Sequence, residues 1–246
     1  MAEALLITRN DVVKFTALNG NVDTDNFIQW VKIAQDIDIQ RVLGTQLLQK
    51  LQSEIILAKS GIPATISIVG GGTDYFDEDN VPTIDGTGTG LTVDITQSGG
   101  IITDVTINEV GSGYLVGDIL RIDQNGNGDA EITIDSVYTI PTDYNNLLVT
   151  YVKPMLIHFA MSQFLPFAAY TIANKGVYKH NSENSTNVEK NEIDYLVQKE
   201  LMIAQNYAER FIDYISFNND LFPEYNTNSN GDMYPSTQNN YTGWFI

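Results

Sequence analysis

Apolar residues recur at helical spacing over the first sixty positions. Asn10 stands where it can cap a short helix running to Phe15. Asp25 precedes a second run, with Phe27, Trp30, Val31, Ala34 and Ile37 at helical intervals. Gly44 breaks that run. Thr45 can cap a third helix, with Leu48, Leu51, Ile55 and Ala58 on one face and Gly61 and Pro63 at its end.

At Ile62 the period shifts from helical to alternating. Short runs with Thr, Val and Ile at alternate positions fit half-buried antiparallel strands: Ala64–Val69, Leu91–Thr96, Ile101–Asn108, Ile119–Ile122 and Ala130–Val137. Thirteen of the 19 glycines lie between Ile62 and Ile140 and separate these runs. The segment also reads as a duplication. Val69-Gly70-Gly71-Gly72, Thr83 to Gly90 and Val93-Asp94-Ile95 match Val110-Gly111-Ser112-Gly113, Arg121 to Gly128 and Ile132-Thr133-Ile134 at an offset of about 40 residues.

Helical spacing returns after Pro141. Thr142 is the expected cap of a helix bearing Leu148, Val152, Met155 and Phe159, which Pro154 should kink or split. Residues 154–174 carry no formal charge and are long enough to span a bilayer. His158, Ser162, Gln163 and a central Pro166 favour a buried core helix ending at Pro166 instead. The polar stretch from Asn174 to Asn184 reads as a turn or hairpin. Thr186-Asn187-Val188-Glu189 has the pattern of a capping box. After it Val197, Leu201, Ala204, Ala208, Phe211 and Ile215 predict a long amphipathic helix packed in a bundle. From 218 to 246 the chain turns polar, interrupted by Phe222, Tyr225, Tyr234, Tyr241, Trp244 and Phe245. Such a segment cannot fold alone; it suits docking on a neighbour, the alternative being a loose terminus with chance aromatics.

These patterns predict an α+β chain: a helical bundle over 1–61 and 141–217, interrupted by a small antiparallel β domain over 62–140, with an extended C-terminal tail over 218–246. Its 246 residues, 43% of them hydrophobic, are enough for a real core. The net charge of −18 excludes partners that attract through basic patches, nucleic-acid backbones and anionic membranes among them. With no cysteine, disulfide frameworks, thiol catalysis and zinc-finger or iron–sulfur sites are excluded. Two histidines, His158 and His180, are too few for a multi-histidine metal site. The start, Met1 to Ile7, carries no export signal.

No nucleophile elbow, phosphate loop or dinucleotide fingerprint occurs. His158 reads as a satisfied core histidine, and His180 as a loop residue. The one small-ion candidate is Asp123-Gln124-Asn125-Gly126-Asn127-Gly128-Asp129, which imitates a calcium loop but has Ile134 where a bidentate glutamate belongs. A glycine–Asx turn explains it without metal. Asp77-Glu78-Asp79 reads as a solvated loop. With 31 acids, no pair singles itself out for hydrolase chemistry, so no enzyme, cofactor, metal or catalytic residue is expected.

The helical parts bear a family resemblance. Asp23-Thr24-Asp25-Asn26-Phe27, then Ala34-Gln35-Asp36-Ile37-Asp38-Ile39 and Val42-Leu43-Gly44, resembles the N-terminal helices of head–tail connector proteins of tailed bacteriophages. Tyr151-Val152-Lys153-Pro154, Leu165-Pro166-Phe167, Asn174-Lys175-Gly176-Val177 and Asn181 to Ser185 are similar to the ring proteins of crAss-like phages. The β segment's Val110-Gly111-Ser112-Gly113-Tyr114 and Val116-Gly117-Asp118 resemble a glycine-rich module of phage virion proteins. The resemblance implies a helical connector domain. It implies a structural virion protein made in the host cytoplasm, forming a ring of about twelve copies in the phage neck. Such a ring joins portal protein to downstream tail proteins, and double-stranded DNA passes through it without specific binding. The tail aromatics would be subunit or partner contacts. The alternative is a calcium-assisted glycan or receptor-binding module on a helical scaffold.

Overall fold

The computed structural model describes residues 4–16, 24–124, 128–168, 170–173, 176–179, 190–226 and 232–236. The chain divides into two units, one made of Met1–Gln52 with Pro141–Ile246 and one of Ser53–Ile140.

The second unit is built on six antiparallel strands: β1 (Pro63–Gly70), β2 (Glu78–Ile84), β3 (Thr89–Ser98), β4 (Ile101–Ser112), β5 (Ile119–Ile122) and β6 (Glu131–Val137). Their order in the sheet is β1-β6-β5-β2-β3-β4. The two edges meet. Ile102 N–H donates to the Gly71 carbonyl (2.8 Å), Gly113 N–H to Ser60 (2.7 Å) and Tyr114 N–H to Gly61 (2.9 Å). These bonds join both ends of β4 to both ends of β1 and bring the sheet close to a closed barrel, which leaves little edge exposed. Alternate residues point inward, so Val93, Ile95, Leu120, Ile122, Ile132 and Ile134 form one core with Tyr75 and Tyr114.

The duplication is visible in this topology. Exchanging β1 with β4, β2 with β5 and β3 with β6 reproduces the same strand order read backwards. The β2–β5 pair, with Thr83 opposite Ile122, lies at the centre of this pseudo-dyad.

The other unit is mainly helical: α1 (Arg9–Phe15), α2 (Thr24–Ala34), α3 (Gln40–Lys59, whose last turns belong to the barrel unit), α4 (Thr142–Leu147), α5 (Lys153–Phe164), α6 (Lys190–Phe217) and α7 (Pro223–Asn226). A π-helical turn, Gln35–Ile39, joins α2 to α3, and another, Leu148–Val152, joins α4 to α5. The second turn precedes Pro154, which lacks the N–H an uninterrupted α-helix would need, so the wider turn lets the helix continue. Its apolar centre includes Phe27, Leu43, Leu47, Met155, Phe159 and Phe211. A hairpin of β7 (Tyr170–Ala173) and β8 (Gly176–Lys179) starts before the stretch expected to turn, Asn174–Asn184, and only β8 lies within it.

This architecture corrects the expected fold class. The chain is not a helical-bundle connector domain interrupted by a small antiparallel β domain. The β part is a six-stranded near-barrel within an 88-residue unit, preceded and followed by helices. The sequence pattern missed β2, whose Glu78-Asp79-Asn80 start and internal Pro82 hide a strand with Val81 as its one buried side chain. Asn80, at φ 58, sits where the pairing to β3 slips between Glu78 and Val81.

Two caps also differ. Thr8, not Asn10, caps α1 in a reciprocal box with Asp11. At α4 the cap position is Pro141, and Thr142 is already helical. The capping box expected at Thr186–Glu189 lies outside the described residues.

Candidate functional site

Gly44 breaks α3 at φ 75, ψ 162, as its position in the apolar pattern predicted. A break of this kind strips backbone groups of their helical partners. The described part of the tail, Asp232–Ser236, takes up two of them. Thr45 N–H donates to the Met233 carbonyl (3.1 Å), and Ser236 N–H donates to the Arg41 carbonyl (2.8 Å). Pro235 lies over Gly44 so closely that a Cβ on the glycine would sit 2.9 Å from Pro235 Cδ. Gln46 Nε2 reaches Asp232 Oδ2 at 3.5 Å. Recognition is by main chain, so the segment lies along the helix break much as a strand adds to a sheet edge. Met233 and Tyr234 stay about half exposed, at 49% and 60%.

The tail aromatics therefore divide. Phe222 is fully buried, edge-on to Tyr144 (5.4 Å) and tilted against Tyr214 (6.2 Å). Tyr225 packs on Phe211 at 5.9 Å. Burial of a side chain such as Phe222 is worth about 1.5–3 kcal/mol, so these two residues hold the start of the tail to its own chain. That start is also not extended, since Asn219–Leu221 forms a 3-10 turn and α7 follows. Tyr144 Oη donates to Glu224 (2.8 Å) and fixes it further. Tyr234 is the exposed member. Tyr241, Trp244 and Phe245 lie outside the described residues.

Helix α6 is packed along only half its length. Ala204, Ala208, Phe211 and Ile215 are buried, whereas no residue between Lys190 and Ile203 is. Val197 and Leu201, expected in the buried stripe, are half-buried. Tyr195, Leu196, Met202 and Ile203 are exposed, Met202 at 54%. Where α5 and α6 meet, His158 Nδ1 and Glu200 Oε2 lie 2.6 Å apart, with the Tyr207 ring stacked 6.0 Å from the imidazole. His158 is thus a partnered histidine in a helix contact.

In the barrel, the Gly113 to Asp118 turn is held by one carboxylate. Asp118 Oδ2 accepts from Leu115 N–H (3.0 Å), the Thr87 hydroxyl (2.6 Å) and Thr87 N–H (3.2 Å). These bonds, Leu115's first, hold the Asp118 carboxyl below the usual aspartate value. The turn displays Leu115 and Val116 at 61% and 62% exposure. The flanks of the calcium-like loop are bonded within the barrel. Asp129 Oδ1 accepts from Thr73 N–H (3.0 Å). Gln124 Oε1 accepts from Phe76 N–H (3.1 Å), and its Nε2 donates to Glu78 Oε2 (2.6 Å). Residues 125–127 lie outside the described residues. Among the described residues, no group of three or more His, Asp or Glu side chains is placed to hold a metal ion. Glu78 and Asp79, expected in a solvated loop, begin β2.

Residues 122–234 match a family of unknown function (DUF6712), a stretch running from the end of β5 through α7 into the docked tail segment. No curated protein and no solved structure matches the chain. Among the described residues, no helix is long and apolar enough to cross a membrane.

Proposed function

We propose that this chain is a structural assembly protein that associates with copies of itself through the first half of α6. Following its resemblance to connector proteins, we propose that it serves as a ring in the neck of a tailed phage, joining portal to tail and extending the DNA channel. The exposed apolar stripe of α6 is the observation that carries the reading. Residues 190–203 extend the packed half of the same 28-residue helix with no side chain fully buried, so a partner that covers Tyr195, Leu196, Met202 and Ile203 would stabilise them.

Charge favours another copy as that partner. Residues 190–203 carry two lysines and three acids, nearly balanced, whereas residues 53–140 carry fourteen acids against Lys59 and Arg121. Copies meeting through the first half of α6 therefore bring together nearly neutral surfaces. The same acidity suits a channel, since it repels DNA phosphates and lets the duplex slide.

Electron microscopy of the full chain, alone and mixed with its portal protein, tests this reading. Closed rings are expected, and the double variant Leu196→Asp, Ile203→Asp should abolish them with secondary structure intact. Rings unaffected by that variant, or no ring with or without portal, would overturn it.

A further inference from the structure

We propose that the first half of α6 docks on the α1–α2 face of the next copy of this chain, around Val13 and Ile28. This contact rests on the proposed assembly and names the surface that α6 meets. A closed ring of more than two copies is not built from one self-complementary patch. Each copy needs two different surfaces, joined head to tail. The exposed stripe of α6 supplies one of them.

Helix α5 stands between the two. Its Met155, Leu156, Ile157, Phe159, Ala160 and Met161 are all buried, so it is covered all round. Lys153 Nζ meets Asp11 Oδ2 of α1 (3.1 Å), and the Phe164 ring lies edge-on to Phe27 of α2 (5.2 Å). At about 100° per residue, Lys153 and Phe164 point within about 20° of each other round α5. His158, which meets Glu200 of α6, points about 120–140° away from both. Helices α1 and α2 therefore cover one side of α5, and α6 covers another. On α6 itself, the stripe of Tyr195, Leu196, Met202 and Ile203 centres on the side turned from the buried Ala204, Ala208, Phe211 and Ile215. The two surfaces thus face outward in different directions, as a head-to-tail contact requires.

Helix α1 is held as thinly as the start of α6. It buries Val12 alone and leaves Val13 and Phe15 exposed at 39% and 56%. On α2, Ile28 is 51% exposed. Arg9 and Ile28 line one cleft between these helices, and Val13 stands one turn after Arg9, so the three share a face. Charge selects this face for α6. Residues 9–15 carry Arg9 and Lys14 against Asp11, which is already paired with Lys153. The start of α6 has the opposite balance, Glu192, Asp194 and Glu200 against Lys190 and Lys199. A chain of net charge −18 repels that start over much of its surface, whereas α1 attracts it and fixes the register.

Two variants of the full chain, each blocked on one surface, test the contact. Val13→Asp with Ile28→Asp spoils the α1–α2 face, and Leu196→Asp with Ile203→Asp spoils the α6 stripe. Each should sediment as a monomer with helicity unchanged, and an equal mixture should form a one-to-one dimer that grows no further. A Val13→Asp, Ile28→Asp variant that assembles as the unaltered chain does, or a mixture that stays monomeric, would overturn the proposal. The absence of cysteine permits a second measurement that introduces no charge. On oxidation, Val13→Cys with Met202→Cys should give a ladder of dimers and higher multimers on non-reducing electrophoresis, and Met202→Cys alone should give none. No ladder from the pair contradicts the contact. Dimers from Met202→Cys alone mean that α6 meets α6, which contradicts it too but leaves association through α6 standing, so the two proposals fail separately.

Discussion

Tyr75 and Tyr114 are equivalent residues of the two barrel halves, 39 positions apart, and they make the same pair of bonds at the same offset. The Tyr75 hydroxyl accepts from Ala130 N–H (3.2 Å) and the Tyr114 hydroxyl from Leu91 N–H (3.1 Å). Tyr75 N–H donates to the Gly100 carbonyl (3.0 Å) and Tyr114 N–H to Gly61 (2.9 Å). Each pair of partners is itself 39 residues apart. The barrel is a duplicated three-strand unit in which each half plugs its tyrosine into the other.

Removing either hydroxyl leaves a buried backbone N–H without an acceptor, which costs about 1–3 kcal/mol. Tyr75→Phe and Tyr114→Phe should each lower stability by that amount, and by similar amounts because their sites are equivalent. Denaturant unfolding of the two variants checks both statements. Gly88 lies against the Tyr114 ring, with Cγ 2.5 Å from where a Cβ would stand, so Gly88→Ala should be worse than Tyr114→Phe.

Asp118 gives the barrel an acid-sensitive turn. Its carboxyl titrates below 3.8 in the folded chain because Leu115 and Thr87 donate to it. Its contribution is therefore present above the unfolded value and lost as pH falls through the folded one. Asp118→Ala should cost about 1 kcal/mol at neutral pH, and the difference from wild type should start to shrink as pH falls below 3.8. Thermal melts across pH 3 to 7 read this directly.

Tyr138 gives the same unit an alkaline counterpart. Its hydroxyl donates to Glu54, and that bond above all pushes its ionisation up from 10 to about 12. A raised value means the contribution is full below pH 10 and disappears between pH 10 and about 12. The stability difference between wild type and Tyr138→Phe should be constant near neutrality and vanish over that window.

Much of the chain was legible before its structure. Gly44 as a helix break, the end of α5 near Pro166 and the hairpin after it follow from residues whose backbone constraints are local. The duplication was visible because its glycine turns repeat. What escaped was set by distant partners. Strand β2 is specified by pairing with β3 and β5 on either side more than by its own acidic, proline-containing sequence. The burial of Phe222 and Tyr225 depends on Tyr144, Tyr214 and Phe211, which no local spacing reveals. The exposed start of α6 looked like core because its apolar period continues that of the buried half.

The latch at Gly44 is open to a single substitution. Gly44→Ala meets backbone strain of about 1–3 kcal/mol at φ 75, ψ 162, a region essentially confined to glycine, and its Cβ collides with Pro235. The tail segment should be displaced and the Thr45 and Ser236 amides should lose protection together. Hydrogen exchange resolved to those amides tests it, and unchanged protection at both would show that the tail does not depend on the break.

The proposed neck-ring role is tested most directly by counting. Quantitative mass spectrometry of purified phage particles encoding this chain, measured against portal and major capsid proteins, should find it near one copy per portal subunit. Its absence from the particles would contradict that proposal.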